Sequence, residues 1–424
     1  MSEFFNPDKE AMSQDQIRAL QTERMADLLN RAYRNPAHKE RFDRVGAKPG
    51  DFKTLEDLAA FPTMSKVDFR THYPLGLNLA PRAEIREMHQ SSGTTGTPVV
   101  MPYTEADLAQ WGECMARCYR MAGANPGDAV QITPSLGLFN GGFGFYHGAR
   151  SMGMFIIPAS AGNTPRQVAL ARTFGTRVLG AVVSYATRIM EVLEEEGGEL
   201  PNLEIGIFGA EVFAPSMKEK IKKGLGIEVY DIYGMTETGG VGTLGMDCSA
   251  HDGIHLWEDH YYVEVLDRET GKQVPDGEEG ELVVTALTRE ALPVIRFRTG
   301  DLTRVISRDK CSCGRTHIRL NTITGRVDDM LIIKGVNFFP GQVEQALMEI
   351  PGVCPHYQII IEDDEGVKDV RINVEAEEGV TGFTVEKKLK DVLGFSPKGD
   401  VFKPGELPRQ EGKAQRVFFE DKKK

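Results

Sequence analysis

The sequence predicts an α/β protein, with a large N-terminal unit built on doubly wound, mainly parallel sheets and a smaller α+β unit at the C-terminus. Three observations carry this. Between residues 105 and 232, short apolar runs alternate with amphipathic stretches at helical spacing, as strands and helices do in a parallel sheet. Past residue 255 the runs are alternating or wholly apolar and are joined by turn residues such as PDGEEG, which reads as an antiparallel, β-rich region. Near residue 325 the texture changes again, and about one hundred residues remain, enough for a separate unit.

The elements follow in order. Ser13 and Gln16 match a capping box, and Ile17, Leu20, Met25, Leu28 and Leu29 recur at helical spacing, so a helix is expected over 13–35, ended by Asn35-Pro36. Residues 48–66 read as loop, and 91–98 as a Gly/Thr-rich turn. Helices are expected at 105–122, 165–174, 185–196 and 215–224. Strands are expected at 130–133, 154–158, 178–183, 204–208 and 227–232. YYVEVLD (261–267), ELVVTAL (281–287) and LTRVIS (302–307) supply the β-rich region, about 255–325. DMLIIKG, YQIIIED and DVRINVEA, with helices at 340–349 and 384–393, form the last unit. The division is therefore 1–326 and 327–424. No internal repeat is visible, and Lys422 to Lys424 read as a solvated tail.

Composition narrows the function. Lys and Arg number 50 against 62 Asp and Glu, a net charge of −12. That balance argues against a nucleic-acid binder, which shows a basic face, but leaves room for a nucleotide held by a few local donors. No run approaches the roughly 18 apolar residues of a membrane helix, and MSEFFNPDKE lacks the basic and apolar parts of a signal peptide. Six cysteines are too few for a disulfide scaffold in a chain of 424 residues. A soluble, cytoplasmic protein is expected.

The sharpest local signal is Ser91-Ser92-Gly93-Thr94-Thr95-Gly96-Thr97-Pro98. Its glycines permit tight turns, and its hydroxyls and N–H groups can bind phosphate oxygens. It is not a Walker A loop, because no Gly-Lys-Ser/Thr follows. Gly240-Val241-Gly242-Thr243-Leu244-Gly245 formally satisfies G-x-G-x-x-G, but its flanks lack the strand-to-helix context, so it is set aside. Downstream come Phe208-Gly209-Ala210-Glu211, Asp231-Ile232-Tyr233 with Thr236-Glu237, Arg298-Thr299-Gly300-Asp301, Gly325-Arg326 with Asp328, Lys334-Gly335, and Glu411-Gly412-Lys413. This ordered set, from about residue 13 to 420, resembles the adenylate-forming superfamily of acyl-CoA synthetases, adenylation domains and luciferases. SSGTTGTP, LFNGGFGFYHG, CSCGRTH and LPRQEGKAQRV look like its phenylacetate–CoA ligase family.

The resemblance implies an ATP-dependent acid–thiol ligase with a small mobile C-terminal domain. Ser91 to Gly96 would wrap the triphosphate, with Thr94 and Thr95 foremost. Glu237 would hold Mg²⁺ and Thr236 would donate to the α-phosphate. Asp301 would accept from the ribose hydroxyls, with Arg326 beside it. Gly209, Ala210, Glu211, Asp231, Ile232 and Tyr233 would flank the adenine. Lys413 would bridge the substrate carboxylate and the α-phosphate. Asp328 would be the hinge, and Lys334 and Gly335 would serve the coenzyme A step. Assembly as a homodimer is also implied, with neither nucleic acid nor membrane as partner.

Phe139, Phe143, Phe145 and Tyr146 are candidates for an acyl pocket whose aromatic walls, spaced by glycines, suit a flat ring. An aryl or arylacetic acid is expected, phenylacetate first. Benzoate-, indoleacetate- or anthranilate-like acids are alternatives, as is a carrier-protein thiol in place of coenzyme A. A non-catalytic, zinc-stapled nucleotide-binding protein is the alternative of another class, and the presence of Lys413, Glu237 and the 91–98 loop weighs against it. Cys248, His255, Cys311 and Cys313 form a candidate structural Zn²⁺ set, thiolates plus imidazole being suited to a closed tetrahedral site. His251, His260 and His317 compete for the histidine role, and free thiols are the competing reading of the cysteines. Cys114, Cys118 and Cys354 are expected to be buried thiols.

Overall fold

The computed structural model describes residues 4–91, 97–211, 214–333, 336–364, 367–409 and 414–421, the side chains of 332, 337, 363, 364, 367, 368 and 421 excepted. Helix α1 (Pro7–Glu10) leads into α2 (Gln14–Ala32), where Ser13 and Gln16 close the expected capping box. This helix stops short of the expected end, because Asn35 starts a new helix. The Asn35 side chain accepts from the N–H groups of Ala37 and His38 and caps α3 (Pro36–Arg44), whose first-turn proline gives up an N–H that no intrahelical acceptor could use. Ser65 caps α4 (Lys66–Thr71). Strands β1 (Glu87–Gln90) and β2 (Val100–Tyr103) pair antiparallel on either side of the 91–98 turn.

The alternating region folds as read, with one addition. Helix α5 (Glu105–Met121), strand β3 (Ala129–Ile132), helix α6 (Gly141–Met152), strand β4 (Phe155–Ile157), helix α7 (Thr164–Phe174), strand β5 (Val178–Val182), helix α8 (Val183–Glu196), strand β6 (Ile205–Gly209), helix α9 (Pro215–Leu225) and strand β7 (Glu228–Met235) follow in turn. The strands lie side by side, all parallel, in the order β4-β3-β5-β6-β7. Alternate residues serve opposite faces. Val178, Ile205, Ile207, Tyr230 and Ile232 enter the core under α5 and α6, whereas Leu179, Ala181, Phe208 and Val229 enter the core under α7, α8 and α9. Helix α6 is the addition. Its four glycines lower helix propensity, but two of them let α5 approach: a Cβ on Gly144 would fall 2.8 Å from the Trp111 ring nitrogen, and one on Gly148 would fall 2.3 Å from Met115 Cβ.

The antiparallel part begins earlier than residue 255. The stretch 240–245 lies in strand β8 (Gly240–Asp247), which pairs antiparallel with β7 and then with β9 (Ile254–Leu256). After β10 (Tyr261–Leu266), β11 (Gly280–Ala286) and β12 (Val294–Thr303) come β13 (Val305–Ser307), β14 (Arg319–Leu320) and β15 (Gly325–Arg326). One nine-stranded sheet runs β13-β14-β9-β8-β7-β6-β5-β3-β4, and a second, antiparallel sheet runs β10-β11-β12-β15. LTRVIS therefore divides between the two sheets.

Strands β16 (Leu331–Ile333) and β17 (Val336–Phe338) and helix α10 (Pro340–Met348) open the last unit. Its sheet runs β20-β19-β18-β21, from β18 (Val353–Asp364), β19 (Val367–Ala376), β20 (Lys398–Phe402) and β21 (Val417–Asp421), with α11 (Gly382–Leu393) between β19 and β20. Ile333, Val343, Leu347, Ile359, Ile372, Val385 and Leu389 make a core of its own. Met348 packs on this core and on the core under α8, so the two units touch through apolar surface as well as polar contacts. Among the described residues no helix is long and apolar enough to cross a membrane.

Candidate functional site

Three of the separated sequence motifs meet in one place. Asp301 on β12 and Arg326 on β15 are cross-strand neighbours, and the Arg326 Nη1 lies 2.9 Å from Asp301 Oδ1. From the other sheet, the Tyr233 hydroxyl donates to Asp301 Oδ2 at 2.6 Å. Burial and the Asp301 carboxylate push the Tyr233 phenol well above its ordinary range, so it stays a donor. Asp301 is 3% exposed, a buried carboxylate whose partners include the Tyr233 hydroxyl and the Arg326 guanidinium.

Thr236 and Glu237 occupy the single 3-10 turn that follows β7. Glu237 is 5% exposed, and among the described residues no cation pairs with it. A buried carboxylate in that state calls for a cationic partner. Ser91 donates its N–H to the Val99 carbonyl, and the Ser91 hydroxyl accepts from the Val99 N–H at 2.9 Å, pinning both ends of the 91–98 turn together. Ser92, Gly93, Thr94, Thr95 and Gly96 lie outside the described residues, as do Lys334, Gly335 and Lys413.

Gly209 ends β6 in register with Ile232, so close that a Cβ would lie 2.4 Å from the Ile232 carbonyl oxygen. The Ile232 side chain itself is core. Ala210 takes φ +68°, a left-handed conformation that costs a non-glycine residue free energy. Its turn directs Glu211 onto Ser184, whose N–H and hydroxyl donate to the carboxylate at 2.7 and 2.9 Å. Asp231 is next to Asp247 and near Lys218. Burial first, and Asp247 second, push its carboxyl up to about 8 despite the lysine.

The four aromatic candidates separate. Phe139, 48% exposed, precedes α6; Phe143 and Tyr146 are half-buried on one side of it; Phe145, 2% exposed, is core. Phe145 turns inward onto β5 at Gly180, and its carbonyl accepts from the Tyr119 hydroxyl. Beside Phe143 lies a polar group that sequence spacing did not reveal. The His89 ring stands 4.9 Å from Phe143, and Glu87 Oε1 sits 2.6 Å from His89 Nε2 and 3.2 Å from His147 Nε2. Burial opposes ionisation of Glu87, but the two imidazoles outweigh it and hold the carboxyl down to about 2. His147 lies 60 residues from Glu87 in the chain, so no local pattern could have joined it to the Glu87–His89 pair.

Cys248, His255, Cys311 and Cys313 come together with one ligand atom each, all within 4.8 Å of one another. Cys248 and Cys311 sulfurs are 3.7 Å apart, and Cys313 Sγ is 3.5 Å from His255 Nε2. Tetrahedral zinc with its usual bond lengths requires about 3.8 Å between thiolates and about 3.5 Å between thiolate and imidazole. A disulfide needs about 2 Å and is excluded. The competing histidines are taken up elsewhere. His251 bonds Asp247 and Glu228, His260 contacts Thr288 and Asp259, and His317 faces the carbonyls of Leu256 and Lys9. Cys114 and Cys118 are buried as expected, while Cys354 is only half-buried on β18.

Asp328 lies in the 3-10 turn Val327–Asp329, after β15 of the large unit and before β16 of the small one, and its side chain is mostly exposed. The units also meet away from this turn. Lys220 on α9 donates to the Val353 carbonyl at 2.8 Å, and Glu191 on α8 faces Arg409 and His356.

Residues 85–287 match the AMP-binding enzyme family, and residues 335–422 match the AMP-binding enzyme C-terminal domain. The chain is 39% identical to the phenylacetate–coenzyme A ligase of Thermus thermophilus, with 98% of this chain and 99% of that protein covered. Among solved structures, it superposes with a TM-score of 0.91 on a 2-hydroxyisobutyryl-CoA ligase in its postadenylation state, at 28% identity, over 99% of this chain and 93% of that one. The same ligase in its thioesterification state, with the same identity and coverage, gives 0.74.

Proposed function

The chain belongs to the phenylacetate–coenzyme A ligase family of AMP-binding enzymes, and from that premise we propose how its residues carry the two half-reactions. The protein is an acid–thiol ligase, AMP-forming, and phenylacetate is the acid we assign to it. In the first half-reaction a carboxylate oxygen attacks the α-phosphorus of ATP, the bond to the β-phosphate oxygen breaks, and pyrophosphate leaves with the electron pair. In the second, the coenzyme A sulfur attacks the acyl carbon, AMP leaves, and the thiol proton passes to solvent.

The observation that carries this reading is the convergence of Asp301, Tyr233 and Arg326. A carboxylate held between a phenol and a guanidinium is placed to accept from two vicinal hydroxyls, and the fixed neighbours mean little reorganisation on binding. Ribose is the ligand we assign there, with Gly209, Ala210 and Asp231 bordering the adenine. Glu237 supplies the hard oxygen ligand for Mg²⁺, which would neutralise charge on the phosphates, and Thr236 lies next to it in the same turn. Phe139, Phe143 and Tyr146 are the aromatic residues of α6 and its approach that remain accessible for the acid, whereas Phe145 is core. Lys413 is assigned to the first half-reaction as the point charge between carboxylate and α-phosphate.

Cys248, His255, Cys311 and Cys313 fit structural Zn²⁺: four protein ligands at tetrahedral spacing leave no position for substrate. Six cysteines with no disulfide among them support a cytoplasmic location. The test is pyrophosphate release with ATP, coenzyme A and a panel of carboxylic acids. Phenylacetate should give the highest kcat/KM, with the thioester formed in equal amount. Release without thioester would move the acceptor to a carrier-protein thiol, and no release with any acid would remove the ligase reading.

A further inference from the structure

Arg409 and Ala414, the described residues nearest Lys413 in the sequence, are each held by a carboxylate of the large unit. On the near side, the Arg409 guanidinium approaches Glu191 through Nε and Nη2, at 3.3 and 3.2 Å. The same Glu191 lies 2.5 Å from His356 Nε2 and 2.8 Å from Arg188 Nη1. Burial opposes its ionisation, yet His356 and the two arginines hold the carboxyl down to about 2, so it is charged at any working pH. Arg409 is not a loose surface side chain. It also bonds both oxygens of Glu375 on β19, at 2.8 and 2.9 Å, and the Leu407 carbonyl. Holding Arg409 therefore holds the sheet of the small unit.

On the far side, Ala414 donates its backbone N–H to Glu211 Oε1 at 2.8 Å. Glu211 is in turn oriented by Ser184, at the start of the helix that carries Glu191, and by the left-handed turn at Ala210. A strained residue is retained where the surroundings over-determine it, and here the strain aims a carboxylate at a backbone N–H 203 residues away. The two carboxylates thus hold the chain at residue 409 and again at residue 414.

We propose that Glu191 and Glu211 are positioning residues that clamp the chain on either side of Lys413 during acyl-adenylate formation and let go for the thioester step. The proposal rests on the assignment of Lys413 to the first half-reaction. The match to the postadenylation state, 0.91 against 0.74, fits a clamp that is closed in this conformer. Glu211, expected beside the adenine, has its carboxylate turned to Ser184 and the Ala414 N–H instead, so that it acts, like Glu191, through the placement of Lys413.

Single-turnover assays of the two half-reactions separate this from a general structural role. Glu191→Ala and Glu211→Ala should each slow pyrophosphate release by about ten- to a hundredfold, the range for losing charge-assisted hydrogen bonds, and leave acyl transfer from supplied acyl-adenylate to coenzyme A within about twofold. Arg409→Ala should mimic Glu191→Ala, and the double variant should lose less than the product of the single losses. If an alanine variant fails to fold by thermal unfolding, Glu191→Gln and Glu211→Gln are read instead. Lys413→Ala is the internal control. If it slows pyrophosphate release while the clamp variants spare it, or lose both halves equally, the clamp is wrong and the lysine assignment stands. If Lys413→Ala leaves pyrophosphate release intact, the underlying assignment fails first.

Discussion

Asp231 is a carboxyl whose protonation is set by its neighbours. Its folded value of about 8 stands against about 3.9 in an unfolded chain. Between those limits the folded state holds a proton that the unfolded state has released, so this residue makes stability fall as pH rises from about 4 to about 8. Each pH unit inside the window costs up to about 1.4 kcal/mol. Asp231→Asn cannot ionise, and its gain in Tm over the unsubstituted protein should therefore be larger at pH 8 than at pH 5, measured without nucleotide. A gain that is the same at both pH values would show that Asp231 is ionised in the fold. Nothing in the sequence announces this, because Asp247 and Lys218 reach Asp231 only through the pairing of β7 with β8 and the docking of α9. The histidines teach the same point. The sequence puts His255 first beside the cysteines with His251, His260 and His317 competing, and tertiary packing, which gives those three other partners, leaves His255 facing the thiols.

At the scale of elements, the cysteine cluster ties the connection between β8 and β9 to the connection between β13 and β14. Cys248 follows β8, His255 lies on β9, and Cys311 and Cys313 sit between β13 and β14, at the antiparallel end of the large sheet. The N-terminus leans on the same loop. Glu10 of α1 forms a buried pair with Arg315 at 2.6 Å, and His317 faces the Lys9 carbonyl. Removing one stoichiometric zinc with a chelator should therefore lower Tm more than it lowers the initial rate. Hydrogen exchange should rise at 4–12, 248–255 and 311–317 and stay unchanged in β3 to β7. Elemental analysis that finds no zinc in protein purified without chelators would remove the metal. Element type was legible where amphipathic spacing was strong, as in α5 and α8. It was not legible in α6, where glycine spends helix propensity on close packing with α5, nor at Asn35, expected as a helix stop and found as the N-cap of α3 after α2 has already ended at Ala32.

Across the whole molecule, the order of the motifs could be read in the sequence, because each is a short run whose chemistry is local. The contacts between units could not, since Glu191 and Arg409 lie 218 residues apart. The proposal that the two units alternate by motion about the turn at Asp328 is open to a two-by-two test. The 3-10 turn seen here already needs φ near the −65° that proline enforces. Asp328→Pro should thus hold the arrangement found in this structure, adenylate at close to the normal rate, and stall when the small unit must rotate for the thioester step. Lys413→Ala should do the reverse, losing about 10²–10³ in acyl-adenylate formation, as for one preorganised donor, while transferring supplied acyl-adenylate to coenzyme A. Proline leaves the hinge carboxylate absent as well, so Asp328→Ala serves as the control: it removes the same side chain and should keep both half-reactions. Equal loss of both halves in the proline and lysine variants would mean that the two units do not alternate, and that Lys413 supports binding or stability throughout the cycle.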